Sequence, residues 1–252
     1  MKRLRVEGGC AWTDAARRPR CGCILPSLLS TFANGPHLRL HLQEVYLGGE
    51  GLASNPVSNP GAVFIDSSTI DPATAQGVDV RAGEAGFHFV DAPVSGGVAG
   101  AANGTLTFMV GGSKPSFDAA TPLFDSMGKN TFHCGDVGMG QAAKLCNNLA
   151  LGVAMCGTAE ALELGVRLGM DPSTLTEVIN KSTAGCWSSS VGNPYPGVNP
   201  DNAASNGYKG GFGVDLMLKD ISLAIGSARA HGQATPTAAT AQQLYQLLSA
   251  NG

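Results

Sequence analysis

A stretch of 28 residues without proline, residues 141–168, constrains the fold more than any other part of this 252-residue chain. It is rich in Ala and Leu, and its apolar side chains return to one face at helical spacing. Those side chains are Leu145, Leu149, Met155 or Cys156, Ala159, Leu162 and Val166. The pattern predicts one long, largely buried helix, with one kind of sequence before it and another after it.

Before this helix, short apolar runs alternate with signals for helix starts. The apolar runs, each of which predicts a strand, are residues 62–65, 87–90, 106–110 and 131–134. Helices are predicted to begin at Asp71-Pro72, where Asp caps the helix and Pro occupies its first turn, and at Lys114-Pro115. The alternation of strands and helices predicts an α/β sheet with crossover helices.

After the long helix, the chain is predicted to be all-helical. Asp171-Pro172 begins a helix by the same capping pattern, and further helices are predicted at about residues 215–231 and 236–249. The start of the chain differs from both parts. Residues 1–43 carry most of their charge as Arg, contain three cysteines and show no sustained apolar period. We expect this first segment to be atypical and disordered.

Composition argues against several classes of protein. A formal net charge of -3 gives no electrostatic reason to expect nucleic acid as a partner. No uninterrupted apolar run reaches the roughly 18 residues of a membrane helix, so no membrane partner is predicted. Seven irregularly spaced cysteines favour a reducing compartment over a disulfide framework. No metal site is predicted, because the spacing of the early cysteines and histidines fits no zinc pattern well. The residues concerned are Cys10, Cys21, Cys23, His37 and His41.

The first candidate site is the segment Asp91-Ala-Pro-Val-Ser-Gly-Gly97, which follows a predicted strand. The hydroxyl of Ser95 and the unobstructed backbone N–H groups of Gly96 and Gly97 are suited to binding a carboxylate. The alternative is a flexible glycine turn with no ligand.

The second candidate site is the start of the long helix, where Lys144 and Asn148 are four residues apart and share one face. Mostly apolar surroundings would desolvate Lys144 in part and lower its pKa toward the range useful for proton transfer. Asn148 would then hold a substrate oxygen or the amine. The alternative is a lysine that extends to solvent. The nearby Gly138-x-Gly-x-x-Ala resembles a dinucleotide fingerprint, but no strand follows the helix, so we interpret it as a chance match.

The third candidate site is Gly210-Gly-Phe212, which leads to Lys219-Asp220 on a late helix. Lys219 is suited to contact an anionic group of a cofactor or substrate. An equally good interpretation is a solvated surface pair of Lys219 and Asp220.

In order and spacing, these motifs resemble the β-hydroxyacid dehydrogenase family. The resemblance runs from about Glu44 to the end of the chain. The motifs that carry it are Phe64-Ile-Asp-Ser-Ser-Thr-Ile-Asp-Pro72, Asp91-Ala-Pro-Val-Ser-Gly-Gly97, Gly104-Thr-Leu-Thr-Phe-Met-Val-Gly-Gly112 and Gly140-Gln-Ala-Ala-Lys-Leu-Cys-Asn-Asn148. More particular are Cys186-Trp-Ser-Ser189 and Asn193-Pro-Tyr-Pro-Gly-Val198, which resemble the hydroxyisobutyrate branch.

The resemblance implies roles for these residues. Lys144 is implied to be the general acid/base. The implied substrate contacts are Ser95, Gly96 and Gly97 for the carboxylate, Asn148 for orientation, and Trp187 and Phe212 for a small branched side chain. The implied contacts to the cofactor, NAD or else NADP, are Thr69 and Lys219. Leu151 stands where a decarboxylating relative carries Glu, which favours oxidation without decarboxylation.

The implied activity is NAD-dependent oxidation of 3-hydroxyisobutyrate to methylmalonate semialdehyde, a step of valine catabolism. The implied fold is a Rossmann-type domain over 44–137 and a helical substrate and dimerisation domain over 138–252, which would form a homo-oligomer. Two alternatives are a sibling semialdehyde or glyoxylate reductase and an inactive remnant that serves as an oligomerisation module. The family and the Arg-rich start favour mitochondria, with the cytoplasm as the alternative.

The chain also departs from the family. The family begins with a strand, a Gly-x-Gly-x-x-Gly turn and a helix that receives the pyrophosphate. Residues 1–43 contain no such turn, and Glu50 stands where the family has an Asn near the nicotinamide. We therefore expect a partial Rossmann-type domain that lacks its first βαβ unit, preceded by foreign sequence.

Overall fold

The computed structural model describes residues 22–24, 44–46, 48 and 62–251. The chain divides into two compact units, Met1–Lys144 and Leu145–Gly252. The predictions for residues 10, 21, 37, 41 and 50, and for most of the segment 1–43, lie outside the described residues.

The described residues of the first unit form a mixed sheet of six strands. The strands are β1 (Gly22–Ile24), β2 (Val63–Asp66), β3 (His88–Asp91), β4 (Val94–Ser95), β5 (Leu106–Gly111) and β6 (Gly128–Gly135). β1, β2 and β3 are parallel neighbours, whereas β5 is antiparallel to both β3 and β4 and parallel to β6. Among the described residues of this unit, 44–46 are helical, and the complete helices are α1 (Pro72–Glu84), α2 (Gly97–Ala102) and α3 (Lys114–Met127).

Residues of β2 alternate between two apolar cores, one on each face of the sheet. Phe64 packs with α1 residues such as Val78, whereas Val63 and Ile65 pack in a second core that includes Phe124 of α3. Because helices cover both faces, β2 is apolar at every position except its last, as expected of a buried parallel strand. The predicted order of strands and helices in this half of the chain is confirmed, apart from three short elements that are described below.

The two helix starts marked by proline begin where the sequence predicts. Asp71 caps α1, and its Oδ1 accepts a hydrogen bond of 3.0 Å from the backbone N–H of Thr74. Ser113 caps α3 and accepts from the N–H of Ser116. Both caps satisfy N–H groups that have no partner inside the helix.

The second unit is helical, as predicted. The long helix α4 (Met139–Arg167) begins in the first unit and continues into the second. It is followed by α5 (Pro172–Lys181), α6 (Trp187–Ser190), a short 3-10 turn (Ala203–Asn206), α7 (Val214–Ala230) and α8 (Pro236–Asn251). The core of this unit joins α7 and α8 through Met217, Ile221, Ala241 and Tyr245, and Leu151 of α4 packs against it.

Three short elements differ from the predictions. The glycine-rich stretch 95–104, predicted as a loop, contains the end of β4 and all of α2. β4 forms because its backbone groups pair with Phe108 and Thr107 of β5, which is a tertiary contact. Gly22–Ile24 forms a strand on the free edge of β2, so the expected disorder does not hold for those three residues.

By length and composition alone, α4 is apolar enough to cross a membrane, and it is the one such helix among the described residues. The core helix of a soluble protein meets the same criterion. The sequence of α4 contains no uninterrupted apolar run of the length that a membrane helix needs, because Asn147, Asn148 and Thr158 interrupt it. That no membrane takes part stays a prediction.

Two glycines of α4 test the packing of the second unit. A Cβ built on Gly152 would overlap Cδ1 of the buried Ile221, whereas nothing lies within 4 Å of a Cβ on Gly157. Gly157→Ala should raise the free energy of unfolding by about 1 kcal/mol, since Ala favours helix. Gly152→Ala should be about 1–3 kcal/mol less stable than Gly157→Ala because of overpacking. Urea unfolding measures both, and equal stabilities would contradict the packing of α4 on α7.

Candidate functional site

Lys144 lies on the first turns of α4, inside the first unit. Its side chain is only 7% exposed, so the alternative of a lysine that extends into solvent does not hold. Asn148 follows one helical turn later, and it is 1% exposed. The two side chains therefore share a helix face at the i, i+4 spacing that the sequence predicts.

Asn148 belongs to a polar network in the second unit. Its Nδ2 donates a hydrogen bond of 2.5 Å to Oδ2 of Asp220, and Oδ1 of Asp220 lies 2.9 Å from Nζ of Lys219. Asp220 is 2% exposed, so Lys219 and Asp220 are not the solvated surface pair that the sequence allowed. Sequence reasoning missed Asp220 as a partner of Asn148, because the two are 72 residues apart in the chain.

The predicted carboxylate contacts lie where β4 leads into α2. Ser95 is the last residue of β4 and is partly exposed, and Gly96 and Gly97 are exposed. Gly96 and Gly97 have φ angles of 135° and 61°, a region that favours glycine. Thr69, the predicted cofactor contact, is partly exposed in the loop that follows β2.

The two predicted aromatic contacts are half-exposed in the second unit. Trp187, at the start of α6, is 51% exposed, and Phe212, just before α7, is 48% exposed. Gly192 lies under the indole of Trp187, since a Cβ there would overlap its ring. Any larger residue at 192 would displace Trp187.

A second polar network lies at the carboxyl ends of β2 and β3. Asp66 and Asp91 are register partners in these parallel strands, and both are fully buried. Asp91 accepts hydrogen bonds from the backbone N–H groups of Gly138 and Gln141 at the start of α4. Oδ1 of Asp66 accepts from the N–H and the hydroxyl of Ser68, whereas Oδ2 has no partner among the described residues. No role was predicted for these residues, although polar residues at the carboxyl ends of buried strands are a usable signal.

Within the described ranges, no three His, Cys, Asp or Glu side chains are close enough to hold a metal ion. Each unit instead contains its own buried polar side chains. In the first unit these are Lys144, Gln141, Asp66 and Asp91, and in the second they are Asn148 and Asp220. A buried lysine is suited to proton transfer, and a buried amide is suited to orienting a small polar ligand.

Two family models together match almost all of residues 38–252 of the chain. One, described as the NAD binding domain of 6-phosphogluconate dehydrogenase, matches residues 38–135. The other, described as NAD-binding of NADP-dependent 3-hydroxyisobutyrate dehydrogenase, matches residues 138–252. A probable mitochondrial 3-hydroxyisobutyrate dehydrogenase of Dictyostelium discoideum is 45% identical over 252 residues, which are 100% of this chain and 76% of that protein. This chain belongs to the 3-hydroxyisobutyrate dehydrogenase family.

Other members of the 3-hydroxyisobutyrate dehydrogenase family agree. The Pseudomonas aeruginosa 3-hydroxyisobutyrate dehydrogenase is 50% identical over 207 residues, covering 82% of this chain and 69% of that protein. A structure of the Mycobacterium tuberculosis 3-hydroxyisobutyrate dehydrogenase with L-serine superimposes with a TM-score of 0.78 at 39% identity. It covers 84% of this chain and 71% of that one. The predicted family, the α/β class followed by a helical region, and NAD or NADP as the cofactor of the family are thereby confirmed.

Asp66 gives this site a pH-dependent contribution to stability. Burial raises the pKa of Asp66 from its ordinary value of 3.8 to about 6; hydrogen bonds from Ser68 oppose the shift and the charge of Asp91 adds to it. Between these two values the folded chain binds more protons than the unfolded chain. The contribution of Asp66 to the free energy of unfolding therefore falls as the pH rises through this window.

Asp66→Asn should remove this dependence, because the amide that replaces the carboxylate keeps an oxygen for Ser68 and does not titrate. Relative to the unmodified chain, the variant should gain on the order of 2–3 kcal/mol between pH 4 and pH 8. Urea unfolding at both pH values measures the gain. The matched control is Asp118→Asn, which removes an exposed carboxylate paired with Lys114. An equal pH dependence in both variants would contradict the assignment.

Proposed function

We propose that this chain oxidises 3-hydroxyisobutyrate to methylmalonate semialdehyde, the reaction named by its relatives, in valine catabolism. The burial of Lys144 one turn ahead of Asn148 on a single helix carries the proposal. A buried amine beside a buried amide is an arrangement for taking a proton from a hydroxyl group while holding its oxygen. In this proposal, Lys144 is the general acid/base, and Asn148 orients the substrate.

The described residues fit the cofactor of the family. Nucleotides bind at the carboxyl ends of strands in open α/β sheets, and β2 and β3 present those ends side by side. The partly exposed Thr69 follows β2 directly and offers a hydroxyl there. When bound, the nicotinamide of NAD or NADP supplies the hydride acceptor. We propose Thr69 as a contact in the first unit and Lys219 as a contact in the second.

The remaining proposed contacts bind the substrate. Ser95, Gly96 and Gly97 offer a hydroxyl and open backbone N–H groups for the carboxylate, and their exposure supports this role. Trp187 and Phe212 present half-exposed aromatic rings for the branched carbon chain. Lys144 accepts the proton of the substrate hydroxyl as the hydride leaves the same carbon, so a carbonyl forms.

The absence of a carboxylate at position 151 supports oxidation without decarboxylation. Leu151 packs against the apolar core of the second unit, beside residues such as Met217. No acid at this position is available to protonate a decarboxylated product. We therefore propose that the carboxylate of the substrate is retained in the product.

The proposed organisation extends to domains, assembly and location. We propose an α/β domain over 44–137 and a helical domain over 138–252, supported by the division of the two family models at 135 and 138.

Exposed apolar side chains on α8, such as Leu247 and Leu248, support a homo-oligomer through the helical domain. Light scattering during size-exclusion chromatography tests it, and a monomer would refute it. The Dictyostelium relative is named mitochondrial and supports that location, whereas a bacterial relative is 50% identical over 207 residues.

The test of function is NADH formation from 3-hydroxyisobutyrate, followed by absorbance. Lys144→Ala should reduce kcat by about 10²–10⁴-fold, the usual contribution of general acid/base catalysis. The matched control is Lys181→Ala, which removes an exposed lysine that pairs with Glu177 and should leave kcat unchanged. Soluble, helical protein without activity would instead favour the inactive remnant.

A second candidate function is the oxidation of a related small hydroxy acid. The Mycobacterium tuberculosis structure was solved with L-serine, which differs from 3-hydroxyisobutyrate in carrying an amine in place of a methyl group. The values of kcat/KM for oxidation of 3-hydroxyisobutyrate and L-serine with NAD, and for reduction of methylmalonate semialdehyde, glyoxylate and succinic semialdehyde with NADH, separate these candidates within each direction. A higher value for L-serine than for 3-hydroxyisobutyrate, or for glyoxylate or succinic semialdehyde than for methylmalonate semialdehyde, would replace the first proposal.

A further inference from the structure

The start of α4 is attached to the sheet through the carboxylate of Asp91. Oδ1 of Asp91 accepts a hydrogen bond of 2.7 Å from the N–H of Gly138, and Oδ2 accepts one of 2.8 Å from the N–H of Gln141. These N–H groups belong to the first turn, whose donors have no partner inside the helix. A helix cap is usually supplied by the residue before the helix, whereas this one comes from a strand 47 and 50 residues away.

The side chain of Gln141 joins the same helix to the loop after β2. Its Oε1 accepts a hydrogen bond of 3.0 Å from the N–H of Ile70, and its Nε2 donates one of 2.8 Å to the carbonyl of Ser68. Both groups of this amide are therefore used on the two sides of Thr69. Gln141 is fully buried, so water does not compete for these bonds.

Two glycines allow the helix to lie directly on the sheet at this point. A Cβ on Gly140 would overlap the carbonyl oxygen of Met109 and would lie 2.8 Å from Oδ2 of Asp91. A Cβ on Gly111 would lie 2.5 Å from Oδ1 of Asp91. The atoms that would be hit belong largely to the backbone and to the cap itself, so the fit leaves little freedom for the helix to shift.

Simple stability does not account for this arrangement. Burial raises the pKa of Asp91, although backbone N–H groups oppose the shift, so the carboxylate is held in the interior at a cost. A serine just before the helix could accept from the N–H of Gln141 without burying a charge. The position of the helix, rather than its formation, is what Asp91 and Gln141 determine.

We propose that Asp91 and Gln141 are positioning residues that fix Lys144 and the loop of Thr69 relative to each other. This inference rests on the proposed function, in which Lys144 transfers the proton and Thr69 contacts the cofactor. Lys144 follows Gln141 by three residues and so shares its helix face. Gln141 therefore joins the proton-transfer residue to the cofactor loop through one side chain.

The test uses Gln141→Met, which keeps the length of the side chain and removes both hydrogen bonds to the loop. We expect the Kd for NADH to rise and kcat to fall, each by about tenfold or more, because the loop and the lysine are no longer held together. The control is Phe124→Leu, which loosens an apolar core under α3 and leaves both hydrogen bonds of the Gln141 side chain in place. If a variant is only less stable, its folded molecules should keep their Kd for NADH and their KM, and only the folded fraction of the protein should fall.

Hydrogen exchange supplies a readout that does not depend on turnover. Gln141→Met should speed exchange of the Ile70 amide and leave that of Gly138 slow, whereas Asp91→Asn should speed exchange at Gly138 and Gln141. If Gln141→Met changes neither the Kd for NADH nor the exchange of Ile70, the inference is overturned. If the unmodified chain shows no turnover that depends on Lys144, the proposed function fails, and the exchange pattern still decides whether this network positions the loop and the helix.

Discussion

The burial of the Asp91 carboxylate is the interaction on which the arrangement of the first unit depends. A charge in the interior is unfavourable unless it is bonded, and the donors that bond it are backbone N–H groups of α4. The cost of burying the charge is therefore offset only when the helix begins at this place on the sheet. Gly111 and Gly140 make that place accessible, because any side chain there would collide with the cap or with the backbone of β5. These contacts fix the first turn of α4 on the sheet of the first unit.

Apolar runs and capping residues, which are local features of the sequence, were enough to predict the strands and helices that form the apolar cores. The run of Val63, Phe64 and Ile65 predicts a strand because both faces of it are covered, and Asp71 predicts a helix start because its side chain can cap one. β4 could not be predicted in the same way. Its two residues are a strand only because they pair with β5, and a tertiary pairing of two residues leaves no apolar period in the sequence.

The residues of the candidate site also differ in whether the sequence alone reveals them. Lys144 and Asn148 could be found from the sequence because their spacing along one helix is a local property. Gln141 lies on the same helix and is equally buried, but its partners at 68 and 70 are more than seventy residues away in the chain. Asp220 was weighed as half of a surface pair for the same reason. A sequence shows which polar residues lie on an apolar face, and only the fold shows which of them satisfy one another.

The two carboxylates at the ends of β2 and β3 show how hydrogen-bond partners determine where a buried negative charge is favoured. Parallel pairing places Asp66 beside Asp91, and two adjacent buried charges repel. Asp91 is bonded by N–H groups from another element, whereas Asp66 depends on Ser68, two residues ahead in its own loop. The pair can therefore share its charge unequally, with the negative charge favoured where α4 supplies donors. Ser68 connects Asp66 to the rest of the network, since its carbonyl accepts from the side chain of Gln141, whose backbone N–H donates to Asp91. The protonation of Asp66 thus acts on the same loop that carries Thr69, and the stability of the fold and the geometry of the site rest on one set of hydrogen bonds.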